Sequence, residues 1–294
     1  MGLEIRGIIP AMVTPLKKDE SLDEDGLRQV IDYLIDAGVH GVFCCGSQGE
    51  VYALSDEERR RVIKITVDET NQRVPVYAGT GEVTTKKAIR LTEYAKDIGA
   101  DAASIATPYF IKPSSNELYT HYRRIAEAVD IPIVLYNNPE RTGVNLDASV
   151  VSKLAKTDNI VGIKDSSGDL ALTAEYIRLT PEDFAIIAGR DSLILATLLY
   201  GGKAAIAATA NVIPRLVVEI YESFIKGDLK RAKEAQYSLL PLRSAFSLGT
   251  FPVVIKEAMA MIGKPGGPAK SPVGPLSEEN REKLRSALKD LGCI

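Results

Sequence analysis

The sequence predicts an α/β chain folded as a (β/α)8 TIM barrel with a C-terminal extension of three helices. Three observations carry that prediction. Short β-branched runs alternate with longer amphipathic runs. The alternation completes eight times, at roughly 30 residues per unit, which is the spacing of a parallel strand and its helical crossover. The chain has 294 residues, enough for one barrel of about 250 residues and a short tail.

The expected strands are Gly7–Pro15, Gly41–Ser47, Val74–Gly81, Asp101–Pro108, Ile131–Asn137, Ile160–Asp165, Phe184–Gly189 and Ala204–Ala210. The first helix, Glu24–Ala37, shows its apolar face at Leu27, Val30, Ile31, Leu34 and Ile35, a helical spacing. The second opens at Ser55, where Glu58 three residues on completes a capping box. Helices at Thr84–Ile98, Asn116–Val129, Asp147–Ala155, Leu170–Leu179, Ser192–Tyr200 and Pro214–Ile225 keep the rhythm. Residues 1–226 thus form the barrel with its site. Residues 227–294 form an extension of the same domain, with helices at Leu229–Leu240, Phe251–Ile262 and Ser277–Leu291. The connector GKPGGPAKSPVGP before the last helix suits an extended surface linker.

Composition narrows the function. A formal net charge of −3 gives no reason to expect nucleic acid or an anionic membrane as partner. Glu4 and Arg6 break any apolar N-terminal run, and no stretch is long enough to span a bilayer, so the expected location is cytoplasmic. Cys44 and Cys45 lie in the apolar run GVFCCG and read as buried small side chains. With Cys293 they make three, which is no disulfide framework. His40 and His121 stand apart from any cluster of ligands. Neither a metal site nor a Ser-His-Asp triad is expected.

Barrel chemistry takes place at the C-terminal ends of the strands. The sixth strand carries Lys164 after Ile160, Val161 and Ile163. A lysine enclosed by a barrel loses hydration, which favours the neutral amine. Such an amine can attack a carbonyl and form an iminium. The structural alternative is a lysine paired with a carboxylate such as Asp165. Tyr136 ends the neighbouring strand, where alternation lets it point inward beside Lys164 and pass protons. The alternative for Tyr136 is a barrel-filling aromatic. Ser47, in the turn Gly46-Ser47-Gln48-Gly49-Glu50, can relay a proton. Its amide and that of Gln48 can hold a carboxylate, unless the turn is merely a turn.

At these residues the chain resembles the dihydrodipicolinate synthase / N-acetylneuraminate lyase family of pyruvate-dependent class I aldolases. The resemblance rests on GSQGE at 46–50, AGTG at 78–81, YNNPERTG at 136–143 and GIKDSSGD at 162–169. It implies a lysine imine at Lys164 with no cofactor, a proton-shuttling Tyr136 and a hydroxyl relay at Ser47. It implies a backbone carbonyl at Ile206 facing pyruvate, and Arg141 gripping the carboxylate of an aldehyde, a task its guanidinium suits. It also implies a homotetramer built from tight dimers, with Tyr109-Phe110-Ile111 near the seam.

The chain departs from the family pattern at several of these positions. Gln48 replaces a threonine that helps bind the pyruvate carboxylate. Phe110 replaces a tyrosine of the proton relay. Arg190, after Gly189, replaces an acidic residue, which would favour a second anionic or hydroxyl-rich group. Gly189, Arg190 and Gln48 join Arg141 and Ile206 as candidate substrate contacts. Val83 and Lys87 stand where asparagine and glutamate would meet lysine as an effector, so lysine inhibition is not expected.

Three functions stay open on these residues. One is a synthase condensing pyruvate with aspartate semialdehyde, favoured by Arg141. Another is a sister aldolase or dehydratase acting on 2-keto-3-deoxy sugar acids or 4-hydroxy-2-oxo acids, favoured by Gln48, Phe110 and Arg190. The last is a non-catalytic anion-binding barrel, disfavoured by the presence of Lys164, Tyr136 and Ser47 together.

Overall fold

A computed structural model describes residues 3–294. The strands are β1 Gly7–Pro10, β2 Val42–Cys44, β3 Val76–Gly79, β4 Ala102–Ala106, β5 Ile133–Asn137, β6 Ile160–Asp165, β7 Ala185–Ala188 and β8 Ala204–Ala207. They form one sheet in the order β1-β8-β7-β6-β5-β4-β3-β2. A parallel bridge between Ala11 and Phe43 joins the two ends of that order. The fold is a TIM barrel, as the repeated pattern predicts.

The helices of the barrel are α1 Glu24–Asp36, α2 Asp56–Thr70, α3 Thr85–Ile98, α4 Ser115–Ala128, α5 Pro139–Thr142, α6 Ala148–Leu154, α7 Leu170–Leu179, α8 Ile194–Leu199 and α9 Pro214–Ile225. The extension holds α10 Leu229–Ser238, α11 Leu240–Ser244, α12 Val253–Met261 and α13 Glu278–Asp290. The helix predicted to reach Leu240 therefore stops at Ser238, and α11 is a further short element. Pro241 accounts for the break, because its nitrogen has no hydrogen to donate back to the preceding turn.

Strands are shorter than their apolar runs. Cys45 has φ 53° and turns the chain away from β2, in a left-handed conformation that no strand continues. The chain after β8 enters a short 3-10 turn, Thr209–Asn211. There the Asn211 amide donates to the Ala11 carbonyl at 2.7 Å and its oxygen accepts from Val13 N–H at 3.1 Å. A side chain thus stands in for a strand partner beyond the end of β1. The capping box is present: Glu58 N–H donates to Ser55 Oγ at 3.2 Å, and Ser55 N–H to the Glu58 carboxylate at 2.7 Å. Ser114 and Glu117 form a second box at the start of α4.

The chain groups into two compact units. One joins the segment up to Gly7 with Tyr77–Ile206, and the other joins Ile8–Val76 with Ala207–Ile294. In the first unit, Ile105, Leu135, Ile163 and Ile186 face outward and pack with Tyr122, Ile125, Val151, Leu154 and Tyr176. Their strand neighbours Ala106, Tyr136, Lys164 and Ile187 are matched across β4 to β7 and face the other way. Between β5 and β6 the register shifts: Ile133 pairs with Ile160, but Val134 pairs with Gly162, so Val161 is skipped. Gly162 is required at this step. A Cβ there would lie 2.6 Å from the Ala185 carbonyl oxygen, closer than side chains tolerate. In the second unit α1 packs on α2, and α9 on α10.

His121, on α4, is buried; its Nδ1 lies 2.9 Å from Thr85 Oγ1, and Nε2 has no partner among the described residues. Burial pushes its pKa down to about 4. The unfolded chain takes up a proton near pH 6.5, whereas the folded chain resists until about 4. This contribution to stability is complete above 6.5 and falls as pH drops toward 4. Urea unfolding at pH 7 and pH 4.5 should show a loss of about 2–3 kcal/mol from this group. The His121→Gln variant should lack that part of the acid-side slope.

Candidate active site

β5 and β6 end side by side, with Tyr136 paired to Lys164 and Asn137 to Asp165. Paired residues of parallel strands share a face, and successive residues alternate. Lys164 and Tyr136 therefore project together, and both are buried, at 4% and 5% exposure. Lys164 Nζ lies 4.1 Å from the centroid of the Tyr136 ring, within the range where a cation is drawn to an aromatic face. The Asn138 amide donates to the Tyr136 hydroxyl oxygen at 2.8 Å. Because this bond uses the oxygen as acceptor, the phenol's own hydrogen can be given elsewhere.

The opposite face of the same two strands is a closed polar network. Asp165 accepts from Ser167 N–H at 3.0 Å, Ser167 Oγ at 3.0 Å and Thr173 Oγ1 at 2.8 Å. Asn137 Nδ2 reaches Asn145 at 2.9 Å, and Asp165 and Tyr176 at 3.2 Å each, while its oxygen accepts from Leu146 N–H at 3.0 Å. The Tyr176 hydroxyl donates to the Leu146 carbonyl. Burial, with the nearby Asp165 charge, pushes the Tyr176 pKa up, so it stays a neutral donor. The carboxylate next to Lys164 in sequence is thus engaged on the outer side, where it ties β6 to the start of α7.

The loop after β5 carries the remaining polar groups. Thr142 Oγ1 accepts from Thr107 Oγ1 at 2.8 Å and donates to Asn138 or Val144 carbonyls at 3.1 Å. These bonds fix the single turn α5, which presents Glu140 and Arg141. Arg141 is half-exposed, with Nη2 3.8 Å from a Glu140 oxygen. The other Glu140 oxygen accepts from Arg190 Nη2 at 2.6 Å. Arg190 Nε donates to the Ser166 carbonyl at 3.0 Å. Gly189 lets β7 approach β6: its N–H donates to the Asp165 carbonyl at 2.8 Å, and a Cβ would lie 2.1 Å from Ser166 Oγ. Ile206, on β8, is buried.

Ser47 and Gln48 belong to the second unit. Their turn is closed by Gly49 N–H to Gly46 O at 3.1 Å and Glu50 N–H to Ser47 O at 3.1 Å. Ser47 is partly exposed and Gln48 buried. Gln48 Nε2 lies 3.5 Å from the Pro252 carbonyl, and its Oε1 has no partner among the described residues. The turn is anchored by a buried pair. Lys256 of α12 donates to Glu50, and both side chains are fully buried. Burial pushes the Lys256 pKa down, while the Glu50 charge works against that shift. The second Glu50 oxygen accepts from Lys270 N–H at 2.8 Å, and Lys270 Nζ donates to Glu58 at 2.6 Å. The connector predicted as a surface linker is therefore pinned to the turn that carries Ser47.

Among the described residues no group of His, Cys, Asp and Glu could hold a metal ion. What the geometry offers is a buried amine against a phenol, on a face shared by two strands. That arrangement can form a carbinolamine and move its protons.

The profile of the Dihydrodipicolinate synthetase family matches residues 4–291. The chain belongs to that family. It is 45% identical to the 4-hydroxy-tetrahydrodipicolinate synthase of Methanopyrus kandleri, over 100% of this chain and 99% of that one. It is 46% identical to the enzyme of the same name from Methanothrix thermoacetophila, over 98% of each chain. The chloride-inhibited dihydrodipicolinate synthase of Acinetobacter baumannii, complexed with pyruvate, superposes with a TM-score of 0.95 at 39% identity. That match covers 99% of this chain and 100% of the other. Members of this family are class I aldolase-type lyases, and this chain is an enzyme of that class.

Several positions that shape the site were not singled out by sequence reasoning. Asn138, Glu140, Thr173, Tyr176 and Lys256 are the main ones. Lys256 left a signal, a lysine inside the apolar helix FPVVIKEAMAMI. Its removal tests the anchor. Lys256→Met should lower unfolding free energy by about 3–5 kcal/mol, because it leaves the Glu50 carboxylate buried without its cation. Lys256→Met with Glu50→Gln should recover much of that loss. Urea titrations of the two single variants and the double variant measure the coupling directly.

Proposed function

We propose that this chain is a 4-hydroxy-tetrahydrodipicolinate synthase, which condenses pyruvate with aspartate semialdehyde through an imine on Lys164. The observation that carries the reading is the contact of Lys164 Nζ with the Tyr136 ring, 4.1 Å from its centroid. The amine adds to the pyruvate ketone to give a carbinolamine. Its hydroxyl leaves as water once a proton arrives, and in this reading Tyr136 supplies that proton. The resulting iminium is a cation, which the aromatic face favours. Loss of a methyl proton gives an enamine, whose carbon attacks the aldehyde of the second substrate. The amine of that substrate then closes the ring onto the imine carbon and releases Lys164.

In this proposal Ser47 relays protons to Tyr136, the amides of the Ser47–Gln48 turn receive the pyruvate carboxylate, and the Ile206 backbone carbonyl faces the bound pyruvate. Arg141 holds the aldehyde's carboxylate, and no external cofactor takes part. The sister-aldolase reading drew on Arg190 as favouring a second anionic or hydroxyl-rich group; its bond to Glu140 weakens that argument. We also propose a cytoplasmic homotetramer. Three cysteines, two of them adjacent, make no disulfide framework, which suits a reducing compartment. Phe110 is 91% exposed with φ 75°, and Ile111 is 69% exposed. A bulky aromatic held out in a left-handed conformation calls for cover by a second copy.

Borohydride added with pyruvate should attach one reduced pyruvate to the peptide containing Lys164, and Lys164→Met should abolish the label. An unlabelled wild-type enzyme at saturating pyruvate would remove the imine from the mechanism. Tyr136→Phe should lower kcat by about 10²–10⁴, the range of a lost acid–base group. Arg141→Ala should raise KM for aspartate semialdehyde about 10-fold or more while sparing KM for pyruvate, as expected for a lost charge-assisted bond. Sedimentation velocity should show a four-chain species, and Phe110→Glu should shift it to smaller ones.

A further inference from the structure

Arg190 and Glu140 are charged groups at the rim of the same strand ends, and the chemistry above uses neither. Arg190 is held on three sides. Its Nε donates to the Ser166 carbonyl at 3.0 Å, and its Nη2 donates to Glu140 at 2.6 Å. It also lies over Gly168, where an added Cβ would be 3.5 Å from Nε and 3.8 Å from Cζ. The bond to Ser166 and the packing on Gly168 do not depend on Glu140. They keep the guanidinium aimed at the rim whether or not Glu140 is bound.

Glu140 stands between two cations, with one oxygen on Arg190 and the other 3.8 Å from Arg141. Lys112 adds a third positive group over the same turn, since its Cε is 3.0 Å from where a Gly143 Cβ would lie. The Glu140 side chain is 53% exposed against 28% for Arg190. The arginine is thus the fixed member of the pair and the carboxylate the movable one.

We infer that Arg190 is a masked receptor for a second anionic group on the aldehyde substrate, with the Glu140 carboxylate as its built-in occupant. Glu140 thereby selects against aldehydes that carry a phosphate in addition to what Arg141 holds. The inference rests on the functional reading above for the identity of the site, but the masking itself needs only the observed contacts. A tethered carboxylate competes with any free anion, so apparent affinity falls by the fraction of time Arg190 is uncovered. A phosphate offers several acceptor oxygens to the guanidinium and would take the place of Glu140 once that side chain is neutralised.

The test uses the full-length enzyme and its Glu140→Gln, Arg190→Gln and double variants. Calorimetric titration with 3-phosphoglycerate reads the receptor without turnover. Glu140→Gln should bind it about 10-fold more tightly than the wild type, and the double variant should lose that gain. Equal binding by wild type and Glu140→Gln overturns the inference. So does a gain that persists in the double variant, which would be a field effect of the lost charge. If the wild type fails to condense aspartate semialdehyde yet Glu140→Gln gains phosphate binding through Arg190, the synthase reading falls and the masked receptor stands.

Discussion

A single skipped residue sets the phase of the chemical face. Ile133 pairs with Ile160, and the next pair is Val134 with Gly162. Without the step over Val161, Tyr136 would meet Ile163, and the amine of Lys164 would not share its side of the sheet. Strand periodicity is two, so a slip of one residue exchanges the inner and outer sets completely. The shift is bounded by a position only glycine can fill, because β7's backbone closes on Gly162. The outward set, from Ile105 to Ile186, then reaches the hydrophobic cluster with α4, α6 and α7. The apolar packing and the polar site thus depend on the same register. A slip that cost one would cost the other.

The outer network extends that dependence to loops. Asp165 and Asn137 occupy the opposite face from Lys164 and Tyr136 and are paired with each other across the two strands. Their hydrogen bonds reach Ser167, Thr173, Tyr176 and Leu146, which hold the loops after β5 and β6. A buried lysine needs a backbone that does not breathe, and satisfied polar groups directly behind it supply that rigidity. In the second unit the Glu50–Lys256 pair does comparable work. Such a pair contributes little net stability compared with apolar packing, so its value is geometric. It joins the Ser47 turn to α12, which makes the C-terminal extension part of the frame that holds the turn.

Much of this was legible in the sequence because it follows from periodicity. Eight alternations gave the barrel, Ser55 and Glu58 gave a helix start, and Lys164 stood out as a charge in an apolar strand. The skipped Val161 was not legible. The run Ile160–Asp165 reads as one strand whether or not a residue is passed over, and register is a property of two strands together. The same limit hid the Lys256–Glu50 pair, whose members lie 206 positions apart. Residue type alone was also a poor guide at Asp165, since alternation sends it to the face opposite Lys164. The predicted helix Leu229–Leu240 ended just before Pro241, and the short α11 that begins at Leu240 was not assigned.

Arg190 shows how a charge read from sequence can reverse its meaning once its partner is known. Alone, an arginine at a strand end argues for an anionic or hydroxyl-rich ligand. Beside Glu140, which only the folded loops bring to it, the same arginine is already occupied. A pair this exposed contributes little to stability, and screening weakens it further as salt rises. Its effect falls instead on competition at the rim, where a tethered carboxylate is always present and a ligand is not. Specificity built this way needs no steric wall. It requires an acceptor near enough to reach Arg190, beside a second arginine that still attracts a carboxylate. Glu140 meets both conditions because α5 places it between Arg190 and Arg141. Discrimination between one anionic group and two would then be set by a side chain that touches neither the imine nor the reacting carbons.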